Sequence, residues 1–245
     1  MKFKFFMLGC VLAGTACSDG GPAQPVTEQT AALPAIAPTD FVIVPCAVAA
    51  PTSECVIIAA GGKRVLIGAP AGIGAGKIAG EDIPPDAVIF LSLHADVIEG
   101  LDEVRNRTWR AGRRSPLSVA GPDGVAQLVG AINKAYVTSD ALAYVEGKRD
   151  GGFDQEAITA RLIGPGEVAF DTGDLTISAL SGGGAKLALL INYEGQTVLL
   201  AACGAEETDI ATWPQADMYI GCNQVGYSAP VFGSWPLTDR IFLTK

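Results

Sequence analysis

The sequence predicts one α+β domain of two packed β-sheets with helices on their outer faces. Strand-like apolar runs crowd both ends of the chain, and helix-compatible segments lie between them. No shift in composition divides the chain after residue 40. Apolar residues make up 49% of the 245 and charged residues 18%, a balance that fills a large core and excludes disorder.

The elements follow in order. Residues 41–44 and 55–60 read as strands, and Gly61-Gly62 is a turn signal into a third, 63–68. Residues 87–93 (AVIFLSL) form a continuous apolar run, the pattern of a strand buried on both faces. Residues 99–111 suit a helix and 117–120 a short strand. Gly121-Pro122-Asp123 then opens a helix through Tyr136. Further strands fall at 168–170, 176–179 and 187–193, with a tight turn at 194–196 into 197–202, and then at 217–221 and 240–244. Each half holds a hairpin followed by a buried strand, the outline of an internal repeat.

Charge narrows the function. Seventeen basic against 26 acidic side chains give −9, a surface that repels phosphate backbones and excludes broad nucleic-acid binding. The single histidine, His94, excludes any mechanism that needs several imidazoles.

Residues 1–16 read as a secretory signal: Lys2 and Lys4, then a 12-residue apolar stretch too short to span a bilayer. Residues 1–17 lack Arg and Ser, which disfavours a mitochondrial presequence. Gly14-Thr15-Ala16 leading into Cys17 resembles the bacterial lipobox, with Gly14 where Leu is usual. It implies cleavage before Cys17 and lipidation of that residue. Loss of Lys2 and Lys4 would take the net charge from −9 to −11. Residues 17–40, rich in Gly, Pro, Ala, Gln and Thr, read as a flexible tether between this membrane anchor and a domain at 41–245. The expected location is the periplasmic side of a bacterial membrane; the alternative is a secreted or soluble periplasmic protein.

Apart from Cys10 and Cys17, the chain has Cys46, Cys55, Cys203 and Cys222, an even set that suggests disulfides in an exported protein. Three connectivities are open. A Cys46–Cys55 bridge across a hairpin and a Cys203–Cys222 bridge between neighbouring strand ends both suit the pattern. Buried free thiols are the competing reading.

Several motifs fail on their chemistry. Residues 71–78 (AGIGAGKI) lack the first Gly and the last Ser or Thr of a phosphate loop. Gly182-Gly183-Gly184 reads as a loop. Ser92 and His94, two apart on the expected strand, would share a face without being an activated pair. Arg105, Arg107, Arg110, Arg113 and Arg114 could form an anion patch, but on an acidic protein they read better as a solvated helix face whose stems cover the core.

The run 90–101 (FLSLHADVIEGL) resembles the signature of the metallo-β-lactamase superfamily, T-H-x-H-x-D-H followed by I-x-G-L at the end of a buried strand. Residues 59–67 resemble the hairpin that precedes it. Residues 109–117 and 119–122 are similar to the ribonuclease Z-like and arylsulfatase-like branch. The resemblance implies a four-layer αββα sandwich of two mixed sheets over residues 41–245. In the family those motifs hold two zinc ions. Here Ser92 replaces the first His and Val97 the third, while His94 and Asp96 keep their residue types. Gly182 and the two glycines after it occupy the place of the next His. Cys203 stands for the bridging Asp, and Lys245 for the last ligand His.

Two readings follow from that comparison. In the first, the chain is a degenerate member, a non-catalytic pseudoenzyme lipoprotein with no resident cofactor, whose cleft serves a small molecule or protein. In the alternative, His94, Asp96 and Cys203 hold one zinc ion as a mononuclear hydrolase of esters, lactones or phosphodiesters, with His94 and Asp96 the catalytic candidates. A third reading, an exported module of another sandwich fold, lacks these strand-end relationships.

Overall fold

The computed structural model describes residues 36–46, 54–73, 84–147, 152–222 and 227–243. The expected signal peptide, Cys17 and Lys245 lie outside them. No helix among the described residues is long and apolar enough to cross a membrane.

The first sheet begins with β1 (Val42–Pro45), β2 (Val56–Ala60) and β3 (Lys63–Ile67), an antiparallel meander. The β2–β3 turn places Gly61 and Gly62 at φ of 58° and 70°. Such paired positive φ values match the twist of a two-residue hairpin. β4 (Ala87–Ile89), β5 (Leu117–Gly121) and β6 (Ile158–Leu162) then add in parallel. With β13 (Ile241–Phe242) at the other edge, the order is β13-β1-β2-β3-β4-β5-β6.

The second sheet repeats the scheme. β7 (Val168–Asp171), β8 (Leu175–Ser181), β9 (Leu187–Tyr193) and β10 (Gln196–Ala201) are antiparallel neighbours. β11 (Met218–Gly221) and β12 (Val231–Ser234) follow in parallel. In each half a hairpin leads into a parallel strand, as the expected repeat requires.

Ile43, Ile58, Ile67 and Ile89 of the first sheet meet Ile177, Leu189, Ile191 and Leu200 of the second in one buried layer. The helices α1 (Ala95–Ile98), α2 (Leu101–Arg110) and α3 (Val125–Val145) cover the other face of the first sheet through Val97, Leu101, Val104, Val125 and Val129. The outer face of the second sheet carries α4 (Glu207–Ile210) and a cluster of Trp213, Tyr219 and Tyr227. The result is an αββα sandwich of two mixed sheets with one thin outer layer.

Three expectations need correction. The apolar run 87–93 is a strand only to Ile89; Phe90, Leu91 and Ser92 are buried as a loop. The Leu91 carbonyl accepts the Leu187 N–H of the other sheet at 2.8 Å, which ends the ladder. Ser92 and His94 therefore do not share a strand face. The helix expected to end at Tyr136 runs on to Val145 as α3, whereas the one expected at 99–111 is found as α2.

The arginine cluster is neither an anion patch nor wholly a solvated face. Arg105 is fully buried; it pairs with Asp140 of α3 and, at 2.7 Å, with Glu156. Its guanidinium also lies 4.9 Å from the centre of the Tyr136 ring. Arg113 is buried beside it and donates to the carbonyls of Ser115, Gln155 and Glu156. Burial, and then the Arg105 charge, push its guanidinium down to about 10. Arg110 and Arg114 are exposed.

Candidate functional site

A cleft opens where the strand ends of both sheets meet. Ser92, Leu93 and His94 form one wall; Gly183, Gly184, Ala185, Lys186 and Glu206 form the other, around a volume of 430 Å³. Of the ligand positions that the resemblance implies, Ser92 and His94 line this cleft.

The first wall follows from the early end of β4. Ser92 is buried, whereas His94 is exposed as the extended residue that starts α1. Asp96, also exposed, lies in the first turn of α1. Val97 turns instead into the apolar cluster beneath the helices, so the place of the third His is a core position. Its carbonyl accepts the Ala69 N–H at 2.7 Å, which stitches α1 to the segment after β3.

The second wall is the loop between β8 and β9. Gly182 is buried, and a Cβ there would press on the Leu187 backbone at 2.9 Å, so no side chain could project from it without moving the strand. Lys186 donates its Nζ–H to the Gly204 carbonyl at 2.8 Å and so ties this loop to the end of β10.

Cys203 follows β10 and Cys222 follows β11, two parallel neighbours. The two cysteines are joined as a disulfide with Cα atoms 5.2 Å apart. Cys46 and Cys55 form the second, at 5.5 Å, across the β1–β2 connection. Both separations lie within the range a bridge spans without backbone movement.

The set His94, Asp96 and Cys203 does not assemble as metal ligands. A thiolate is the form of cysteine that binds metal, and the Cys203 sulfur is bonded to Cys222. Among the described residues no group of three or more His, Cys, Asp or Glu is placed to hold a metal ion. The residues present therefore do not fit the zinc that the resemblance implies.

Glu54, a residue that sequence reasoning passed over, lies against the Cys203 backbone and is not among the residues that line the cleft. It precedes β2, is 5% exposed, and accepts the Cys203 N–H at Oε1. Its Oε2 is buried with no hydrogen-bond partner among the described residues. Burial pushes its carboxyl above the usual range; the Cys203 N–H opposes this, Asp96 adds to it, and His94 and Lys186 oppose it. A Cβ at Gly68, where φ is +74°, would collide with the Glu54 carbonyl, so the segment after β3 passes directly against Glu54. The one cue in the sequence is an acid two residues before the uninterrupted apolar strand VIIAA.

No protein-family model matches the chain, and no curated protein does. Solved structures do. The metallo-β-lactamase fold protein YhfI from Bacillus subtilis superposes with a TM-score of 0.54 at 18% identity, covering 79% of this chain and 78% of that one. The short form of human tRNase Z (ELAC1) superposes at 0.53 with 15% identity, over 76% of this chain and 78% of that one. Both likenesses bear on architecture alone. On that ground the chain is a metallo-β-lactamase-fold protein.

Proposed function

We propose that this protein is an exported, non-catalytic lipoprotein that uses the cleft at its strand ends to bind a small molecule or a protein. One observation carries the reading: Cys203, at the position of the family's bridging ligand, is bonded to Cys222. The sandwich does not depend on metal, because Ile58, Ile89, Leu189 and Leu200 form its core away from the cleft. The hydrolase reading requires a free thiolate at Cys203, and the bridge removes it.

The signal, the lipid on Cys17 and the tether over 17–40 belong to the same proposal. They would hold the domain near a membrane by an acyl chain rather than a spanning helix. Metal analysis of the purified protein, with a thiol count under denaturing conditions, tests the central point. The expected result is zinc far below one per chain and no free thiol at Cys203. Zinc near one or two per chain, with turnover lost on His94→Ala, would overturn it. Loss of fatty-acid labelling in Cys17→Ala tests the anchor; unchanged labelling would refute it.

A further inference from the structure

A second cavity, of 160 Å³, lies between α4 and the ends of β10 and β11. Glu207 and Ile210 of α4, Tyr219 of β11, Ala202 and Cys222 line it. Cys222 is half-buried, and it is the half of the Cys203–Cys222 bridge that borders the cavity; Cys203 is not among the lining residues. Gly221 permits this arrangement. A Cβ there would collide with the Tyr219 hydroxyl oxygen, so the tip of Tyr219 lies against the backbone that leads into Cys222. The other bridge ends in Cys55, which is only 6% exposed.

A disulfide sulfur that borders a cavity is an electrophile for a thiolate that fits there. Size limits the thiol. A cavity of about 150 Å³ admits a molecule of benzene's size, so this one takes a thiol of a few heavy atoms and excludes a tripeptide thiol. Charge limits it further. Glu207 supplies a carboxylate to the cavity, and the whole chain carries −9, so a cationic thiol is favoured over an anionic one.

We propose that Cys222 is a site of mixed-disulfide formation with small aminothiols, whose ammonium faces Glu207. The aminothiol first loses its thiol proton to water. Its sulfur then bonds to Cys222 Sγ, the bond to Cys203 Sγ breaks, and the electron pair leaves on Cys203, which takes a proton from water. One disulfide is lost and one is formed, so no outside oxidant enters. Lys186 donates to the carbonyl of Gly204, the residue after Cys203, at 2.8 Å, and its cation favours the departing thiolate. Glu54, on the Cys203 N–H, opposes it when charged. This site stands apart from the larger cleft and does not depend on what that cleft binds.

The test is incubation of the native full chain with cysteamine at low salt and about pH 8, trapping with N-ethylmaleimide, and peptide mapping by mass spectrometry. The expected result is the aminothiol on Cys222 and maleimide on Cys203, with Cys46 and Cys55 still bridged. Glu207→Gln, an exposed change, is expected to slow cysteamine about threefold and to leave the rate with uncharged mercaptoethanol unchanged. Comparing each thiol with itself across the two proteins cancels its intrinsic reactivity. Aminothiol found on Cys203, or on Cys46 or Cys55 ahead of Cys222, overturns the assignment. So does a native chain that forms no adduct in about 10 mM cysteamine while the urea-unfolded chain reacts. Unchanged cysteamine rates in Glu207→Gln, or equal slowing of both thiols, overturn the aminothiol class.

Discussion

The backbone N–H of Cys203 donates to the carboxylate of Glu54, 149 residues earlier in the chain. This bond joins the start of β2 in one sheet to the end of β10 in the other, beside the cleft. It also fixes the cysteine whose sulfur continues to Cys222.

Glu54 should make stability depend on pH in a defined direction. Burial, the largest influence, raises its carboxyl above the ordinary 4.5, so the folded chain holds this proton more tightly than the unfolded chain. Its contribution is fully present below 4.5 and is lost as pH rises through the raised value. The facing groups Asp96, His94 and Lys186 modify that window without reversing it. Urea denaturation from about pH 4 to pH 8 should show Glu54→Gln gaining on the parent across the interval. A stability difference that stays flat over this range would refute the assignment.

The sheets were largely legible in the sequence because a strand's period and its turn residues are local. The Gly61-Gly62 hairpin and the strands around residues 194–196 needed only neighbours to specify them. What escaped depends on partners far along the chain. Arg105 reads like Arg110 until Asp140, 35 residues away, and Glu156, 51 away, close on it. The apolar run 87–93 cannot reveal that Leu187 takes the Leu91 carbonyl and ends the ladder. β6 and β12 were passed over because both are edge strands with mostly exposed residues and weak alternation. At the cleft, a motif showed His94 and Asp96. No motif showed Glu54, whose importance comes from a fold contact.

Arg105 should be among the least replaceable charges in the domain. Its side chain is 1% exposed and its partners Asp140 and Glu156 are 7% and 4% exposed. Arg105→Ala leaves two buried carboxylates without their cation, and breaking such a buried pair costs about 3–5 kcal/mol. Chemical denaturation should show a loss of that order, while Arg110→Ala, at an exposed position of the same helix, should leave the midpoint almost unchanged. Equal effects of the two substitutions would mean that the buried network contributes nothing.

Gly68 and Gly112 separate backbone strain from collision. Their φ values, +74° and +95°, both disfavour a side chain. At Gly112 the space around a Cβ is open, whereas at Gly68 it meets the Glu54 carbonyl. Gly112→Ala should cost about 1–2 kcal/mol from conformation alone. Gly68→Ala should cost clearly more, because either β2 or the segment after β3 must shift. Thermal denaturation of the two variants checks the difference, and a Gly68→Ala melt no lower than that of Gly112→Ala would contradict the close approach.

The two disulfides should differ in what their removal disturbs. Cys46 and Cys55 are 9 residues apart, and Cys203 and Cys222 are 19 apart. Loop-closure entropy makes these bridges worth about 2.6 and about 3.2 kcal/mol, a small difference. Only the second bridge anchors the residue that donates to Glu54. Paired serine substitutions should therefore lower the midpoint by similar amounts. The Cys203→Ser, Cys222→Ser pair should also alter the Asp96 and His94 amide signals in a nuclear magnetic resonance spectrum, because Glu54 is electrostatically coupled to both. If the Cys203→Ser, Cys222→Ser pair leaves those signals unchanged, the Glu54–Cys203 link does not depend on the second bridge.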